Sequence, residues 1–381
     1  MQSLRHRERV LTSLNHEQPD RVPLDFGGIG PTDIVVPAYE NLKKYVGLKF
    51  EEKAAGKFQR TVIPDEQILQ KFDIDTRTIR LGEFKSRTRR SIDDETFVDV
   101  WGTTWKRAEG NFIINVDGAF QKSDPRIEIL ENFSWPDPND PGLYEGLREK
   151  AEALRKNTDF AIVLSLMYGN GILKQCTNMR GFAELLMDFS DNPEFACRLM
   201  DFMTDISIRI AERALDAVGE NVDVLYYADD LGHQQSTLIS PQMYRKLIKP
   251  RHKRFFDAVK ARNEAKILLH SDGAISPLIE DLIEIGVDAL NPVQVSACAM
   301  DPVRLKKEFG DRLAFWGAID TREVLPFRSP EEVRKEVRRM IGLMGKGGGY
   351  VLASVQTIQA EVPPENIVAM FEEAKSYGGA P

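Results

Sequence analysis

The sequence predicts an α/β chain whose strands close into a (β/α)8 barrel, with a β-hairpin-rich insertion after the second strand. Three observations predict it. Eight short apolar runs recur along the 381 residues. Most are continuous rather than alternating, the pattern of parallel strands buried on both faces. Amphipathic stretches of helical period separate the later runs, as βα units require. Periodicity alone does not fix closure, so a doubly wound open sheet is the alternative arrangement.

The chain begins with a charged segment, Met1–Arg9, that lacks the apolar stretch of a secretory signal. The first run, Val22–Phe26, leads into Gly27-Gly28-Ile29-Gly30. That loop is no dinucleotide fingerprint, because no G-x-G-x-x-G opens a helix there. The second run, Thr76–Leu81, is rich in Thr and Arg and is the least apolar. Residues 84–140 then break the pattern. Thr96–Trp105 and Asn111–Val116 read as a hairpin, and Trp135–Gly142 as a turn-rich return. Emerging at the C-terminal rim, this insertion puts Trp101 and Trp105 either over the pocket or into a staple against the barrel. The remaining runs are Phe160–Leu166, Val222–Ala228, Lys266–His270, Val287–Asn291, Leu313–Trp316 and Tyr350–Ala353. A helix over Pro241–Arg262 starts on Ser240-Pro241, a cap followed by proline at the first helical position. Another, Pro330–Met344, starts on Ser329-Pro330-Glu331-Glu332, whose acidic residues suit a helix N-terminus. No linker or repeat divides the sequence, so residues 1–381 read as a single barrel that carries the 84–140 insertion.

Composition narrows the function class. Hydrophobic residues make up 42% and charged residues 29%, enough apolar material for a large core. With 51 Lys+Arg against 59 Asp+Glu the net charge is −8, and no dense basic run is present, which argues against nucleic-acid binding. No apolar stretch reaches the length of a membrane span. Cys176, Cys197 and Cys298 are odd in number and widely spaced, so no disulfide framework is expected and a reducing cytoplasm fits.

In such barrels the reactive groups stand just beyond the carboxyl ends of the strands. Polar residues follow most runs here: Met167-Tyr168-Gly169-Asn170-Gly171, Asp229-Asp230 with His233 behind, His270-Ser271-Asp272-Gly273, Asn291-Pro292-Val293-Gln294, Trp316-Gly317 and Ser354-Val355-Gln356. Their coincidence favours an enzyme. Asp229 and Asp230 are adjacent carboxylates that can hold a proton or a metal; the bland reading is one cap and one solvated side chain. His270-x-Asp272 can present an imidazole nitrogen and a carboxylate oxygen to zinc, or else form a hydrogen bond that shapes the turn. Cys298, seven residues past Asn291, lies too far into its loop to complete the set. Ser165 lacks a nucleophile-elbow context.

Five segments together resemble the uroporphyrinogen decarboxylase superfamily: Asp229-Asp230-Leu231-Gly232, Leu238-Ile239-Ser240-Pro241-Gln242-Met243-Tyr244, Lys249-Pro250-Arg251-His252-Lys253, His270-Ser271-Asp272-Gly273 and Pro363-Pro364-Glu365-Asn366-Ile367. The resemblance extends from Arg7-Glu8-Arg9-Val10 to the last helix and implies a TIM-type barrel. Decarboxylases of this family carry arginines after the first strand for a polycarboxylate substrate. Here that place holds Asp25-Phe26-Gly27-Gly28-Ile29-Gly30-Pro31, and Arg77 and Arg80 compensate only in part. The other branch transfers methyl groups to or from a corrinoid on a partner protein. Its coenzyme M members bind zinc through His-x-Cys and a distant Cys; this sequence has His270 but Asp272 in the pair, and Ser354 or Val355 near the distant position.

An oxygen-rich site suits activation of an ether oxygen better than activation of a thiol. The resemblance therefore implies a corrinoid-dependent methyltransferase of the O-demethylase type. Its implied catalytic residues are Asp229, Asp230, His270 and Asp272, with His270 and Asp272 as zinc ligands where a metal is used. Tyr227, Gln294, Trp316 and Gln356 are expected to line the substrate pocket. The expected partners are a small methylated substrate, a corrinoid protein and, as is common for this barrel, a second copy of the chain. A lyase on a carboxylated substrate is the alternative, and a non-catalytic binding barrel sealed by the insertion is a third reading.

Overall fold

The computed structural model describes residues 3–50, 61–108, 113–166 and 171–377. Seven strands form one parallel sheet: β1 Thr76–Arg80, β2 Ala161–Ser165, β3 Val224–Ala228, β4 Lys266–His270, β5 Ala289–Asn291, β6 Ala314–Ile319 and β7 Tyr350–Ser354. Each pairs with its neighbours in chain order, so the sheet curls in one direction. The first predicted run closes it, although not as a regular strand. Only Leu24 bridges β7, at Leu352. Around it the Leu352 amide donates to the Pro23 carbonyl, the Asp25 amide to the Leu352 carbonyl and the Asp75 amide to the Leu24 carbonyl. This segment therefore touches both edges of the sheet. The seventh predicted run also differs, continuing through Gly317-Ala318-Ile319 as β6.

Alternation along the strands sorts two cores. Ala161, Val163, Val224, Tyr226, Leu268, Ala289, Ala314, Trp316, Val351 and Ala353 fill the barrel with Val10, Leu14 and Ile29. Helix His6–Leu14 plugs the lower end, where the Ser13 hydroxyl donates to the Tyr350 carbonyl. Ile79, Leu164, Leu225, Tyr227, Leu269, Leu290 and Phe315 face outward into the helical layer.

The same lower end repeats one device. Asp75, Asp223 and Asp288 each stand one residue before a strand. Their carboxylates accept from the Leu24, Ile162 and Ile267 amides of the preceding segment, at 2.7, 2.8 and 2.8 Å. Each pins the start of one barrel segment to the next.

The helix predicted over 241–262 runs from Pro241 to Lys260 but widens to a π turn at Tyr244–Ile248. Pro250 has no N–H to continue the α ladder, so the register shifts before it. Helix Pro330–Met344 matches its expected range, with a Ser329–Glu332 capping box. Inside the insertion a four-stranded antiparallel sheet joins Arg90–Ser91, Thr96–Val98, Thr104–Arg107 and Ile113–Asp117. Trp101 is buried in the main core, and Trp105 donates from its indole to Asp99 at 2.8 Å. Phe120, Phe133 and Trp135 stack in sequence onto Phe202 of helix Pro193–Val218. Trp101 and Trp135 therefore pack the insertion against the body of the fold, while Trp105 is held within the insertion. Among the described residues no helix is long and apolar enough to cross a membrane.

Candidate active site

Strand β4 ends on His270, whose side chain shares the inward face with Leu268. Its Nδ1 lies 2.6 Å from the Asn291 side-chain oxygen. Asn291 donates its amide nitrogen to the Trp316 carbonyl at 3.0 Å, which fixes the amide's orientation. His270 Nδ1 must then be the donor, and Nε2 is turned toward the mouth. Asp230 and Asp272 meet it there: their Oδ1 atoms lie 3.8 and 3.7 Å from Nε2, and the three potential ligand atoms fall within 4.8 Å of one another.

Backbone geometry explains the convergence. The Asp272 amide donates to Asp230 Oδ1 at 3.3 Å, the Leu231 amide to the Ser271 hydroxyl at 2.9 Å, and the Gly273 amide to Gln294 Oε1 at 2.7 Å. Gly273 adopts φ +88°, and a Cβ there would stand 2.5 Å from the Gly232 backbone. The loops after β3 and β4 can cross only because that position is glycine. Gln356 donates to Asp272 at 2.5 Å, and Lys174 Nζ stands 3.7 Å from Asp230. Burial opposes charge on His270, but Asp272 and then Asp230 outweigh it and push the imidazole up to about 9. Burial likewise opposes ionisation of Asp272, and the His270 partner holds its carboxyl below the usual value.

Asp229 does not join this group. It is buried, accepting the Leu173 and Lys174 amides at 2.8 Å each, with His252 Nε2 at 2.9 Å. It thus caps helix Ile172–Arg180 from a neighbouring strand end, because a glycine, Gly171, occupies the cap position. That residue must be glycine: a Cβ would fall 2.4 Å from the Ala228 carbonyl oxygen. The catalytic expectation for Asp229 is corrected to a positioning one. Asp229→Ala is expected to cost about 1–3 kcal/mol in urea unfolding, through the lost cap and an orphaned His252. Asp230→Ala should change stability much less.

Two expected pocket residues also move. Tyr227 points outward, accepting the Ile172 amide and packing on Phe255 and Phe256; its inward neighbour is Tyr226. Trp316 is fully buried in the barrel floor, donating to Asp25 at 2.9 Å. Asp25 also accepts from Thr76, Gly28 and Thr32, which orders the glycine loop, while burial raises its carboxyl. Gln356 stands at the cluster, bonded to Asp272, whereas Gln294 lies one residue beyond it and binds the Gly273 amide and Gln234. Cys298 is exposed and outside it, and Met167–Asn170 lie outside the described residues. Asn291, Tyr226 and Lys174 are the contributors that sequence reasoning did not single out. Strand parity measured from His270 is the signal that finds the first two.

The uroporphyrinogen decarboxylase (URO-D) family profile matches residues 153–377. A uroporphyrinogen decarboxylase from Pseudoalteromonas atlantica is 23% identical over 272 residues, 68% of this chain and 70% of that one. A methylated-thiol–coenzyme M methyltransferase from Methanosarcina mazei is 23% identical over 255 residues, spanning 66% of this chain but only 64% of its own length. A solved methyltransferase structure from Methanosarcina mazei has a TM-score of 0.69 at 18% identity, covering 98% of this chain and 99% of the other. That last likeness is one of fold.

Proposed function

The chain belongs to the uroporphyrinogen decarboxylase family, and on that premise we propose that it is a methyltransferase. It moves a methyl group from a small methylated substrate, a methoxylated aromatic foremost, to the Co(I) corrinoid of a partner protein. The observation that carries this reading is the Asp230–His270–Asp272 cluster at the barrel mouth, within 4.8 Å and built from oxygen and imidazole donors alone.

Methyl aryl ethers resist substitution because phenolate leaves poorly. As the methyl carbon passes to its acceptor, the C–O bond breaks and the bonding pair stays on the ether oxygen. His270 can deliver the Nε2 proton to that oxygen while Asp230 and Asp272 hold the imidazolium in place. The same three residues fit zinc: Nε2 is free to bind because Nδ1 donates to Asn291, a buried partner that orients the ring. A zinc ion there would supply Lewis acidity to the leaving oxygen. The donor set lacks the soft thiolates that suit activation of a sulfur nucleophile.

The Pseudoalteromonas relative favours a decarboxylase as the second reading. A polycarboxylate is poorly matched here, because Arg80 is the one arginine of β1 that faces the mouth and it is already paired with Asp33. Arg77 faces away from the mouth, paired with Glu66 and stacked 3.5 Å from the Phe160 ring centre, and the loop at Gly27–Gly30 offers no cation.

Incubation with reduced corrinoid protein and a panel of methylated compounds tests the proposal. Loss of Co(I) absorbance with methoxylated aromatics is expected. Carbon dioxide release from a polycarboxylate, with no methyl transfer across the panel, would overturn it. Metal analysis separates the two roles of Nε2: about one zinc per chain, lost in Asp272→Ala, would assign the leaving oxygen to Lewis-acid activation, and a metal-free active chain would assign it to the Nε2 proton.

A further inference from the structure

We propose that Arg80, Ser165 and Tyr226 form a carboxylate-binding row inside the barrel mouth, so that the methyl donor is a molecule bearing a carboxylate. This rests on the methyltransferase reading for the identity of the transferred group, but not for the binding itself. Strands β1, β2 and β3 are adjacent, and their register sets Arg80 opposite Ser165 and Ser165 opposite Tyr226. All three share the inward faces: Thr76 reaches Asp25 from the same face as Arg80, Ala161 and Val163 lie below Ser165, and Tyr226 belongs to the interior cluster. At a strand spacing of about 4.8 Å the row spans about 10 Å.

Its donors are only partly spent. Arg80 gives Nη1 and Nη2 to Asp33, at 3.0 and 2.8 Å, and Asp33 is buried behind it. This grip holds the guanidinium by one edge and leaves its Nε–H and the outer hydrogens without a partner among the described residues. Tyr226 is only 7% exposed and Ser165 is half-buried, and neither hydroxyl has a hydrogen-bond partner among the described residues. Arg80 and Ser165 are half-buried and Tyr226 is buried, so these donors line the inside of the mouth, where an entering acceptor can reach them. A guanidinium edge with two hydroxyls beside it suits a planar, two-oxygen anion.

Position gives the row its purpose. The Tyr226 ring lies 6.4 Å from the His270 ring, centre to centre. The row on β1–β3 and the cluster at the end of β4 therefore face one space. A carboxylate seated at Arg80 is held off from Asp230 and Asp272. The opposite end of an aromatic ring, carrying the methoxy group, then meets His270.

Calorimetric titration of the full chain with benzoate, which has no methyl group to give, tests the row separately from the chemistry. Benzoate is expected to bind more tightly than benzyl alcohol. Arg80→Gln should weaken it about 10- to 100-fold, and Tyr226→Phe about 3- to 10-fold. Arg80→Lys keeps a cation for Asp33 but loses the fork; it guards against a folding defect and should weaken benzoate as well. In the corrinoid assay, 4-methoxybenzoate should outpace methoxybenzene. Equal affinity for benzoate and benzyl alcohol, or benzoate affinity unchanged in all three variants, would overturn the row. Methyl transfer indifferent to the carboxylate would overturn it while sparing the methyltransferase reading. Arg80-dependent benzoate binding without any methyl transfer would support the row and remove that reading.

Discussion

Replacing His270 and Asp272 together by alanine is expected to remove methyl transfer, lowering the rate by about 10²- to 10⁴-fold, while the barrel still folds. The fold should survive because the pair carries opposite charges. Removing both leaves Asp230 facing Lys174, 3.7 Å away, a pairing already present. The single variant His270→Ala is the harsher test of structure. It leaves Asp230 and Asp272 together without their imidazole, and it orphans the Asn291 oxygen that accepts from Nδ1. That loss should cost about 1–3 kcal/mol in urea unfolding, with part of it regained in the double variant. A double variant with full turnover would show that the activating group lies elsewhere in the mouth. Activity lost together with near-ultraviolet circular dichroism would show that the pair is structural.

The barrel was legible because burial on both faces leaves continuous apolar runs, and Lys266–His270 forms a strand over the very residues read from sequence. That same continuity hid the orientations. Val222–Ala228 offers no polar alternation, so nothing in it says that Tyr226 turns inward and Tyr227 outward. Asp229 and Asp230 inherit the ambiguity: one residue of phase separates a helix cap from a cluster ligand. His270 and Asp272 were readable because their spacing of two keeps both on one side whatever the phase. Asn291 was passed over because its part is played through His270 and not toward a substrate. Leu24 shows the opposite limit. Its apolar run was found, but pairing through one bridge depends on β7 and Asp75, which are far away in sequence.

Asp75→Asn is expected to destabilise the barrel by about 3 kcal/mol at neutral pH, the largest stability effect of any single substitution considered. The carboxylate is fully buried and accepts from His6, Arg9 and Arg21 at 2.8, 2.7 and 2.7 Å, and from the Leu24 amide at 2.7 Å. It therefore fastens both the plugging helix and the closing segment to the start of β1. Asparagine keeps the shape but turns an amide N–H₂ toward two guanidinium groups. Arg9 retains Asp20 and Arg21 retains Asp73, which keeps the cost toward the lower end for a broken buried pair. The pH dependence has a definite sign. Burial opposes ionisation, but His6, Arg21 and Arg9 together hold the Asp75 carboxyl below its ordinary value. Its contribution is thus complete above the unfolded-state value of about 3.9 and is lost as pH falls through the lower folded-state value. The wild-type chain should lose stability more steeply below about pH 4 than Asp75→Asn does, so the two curves converge in acid. Asp257→Asn removes an exposed partner of Lys253 one helical turn away, and it should stay within about 0.5 kcal/mol at every pH. Parallel curves for wild type and Asp75→Asn down to pH 3 would mean that this carboxylate is not what holds the lower end of the barrel closed.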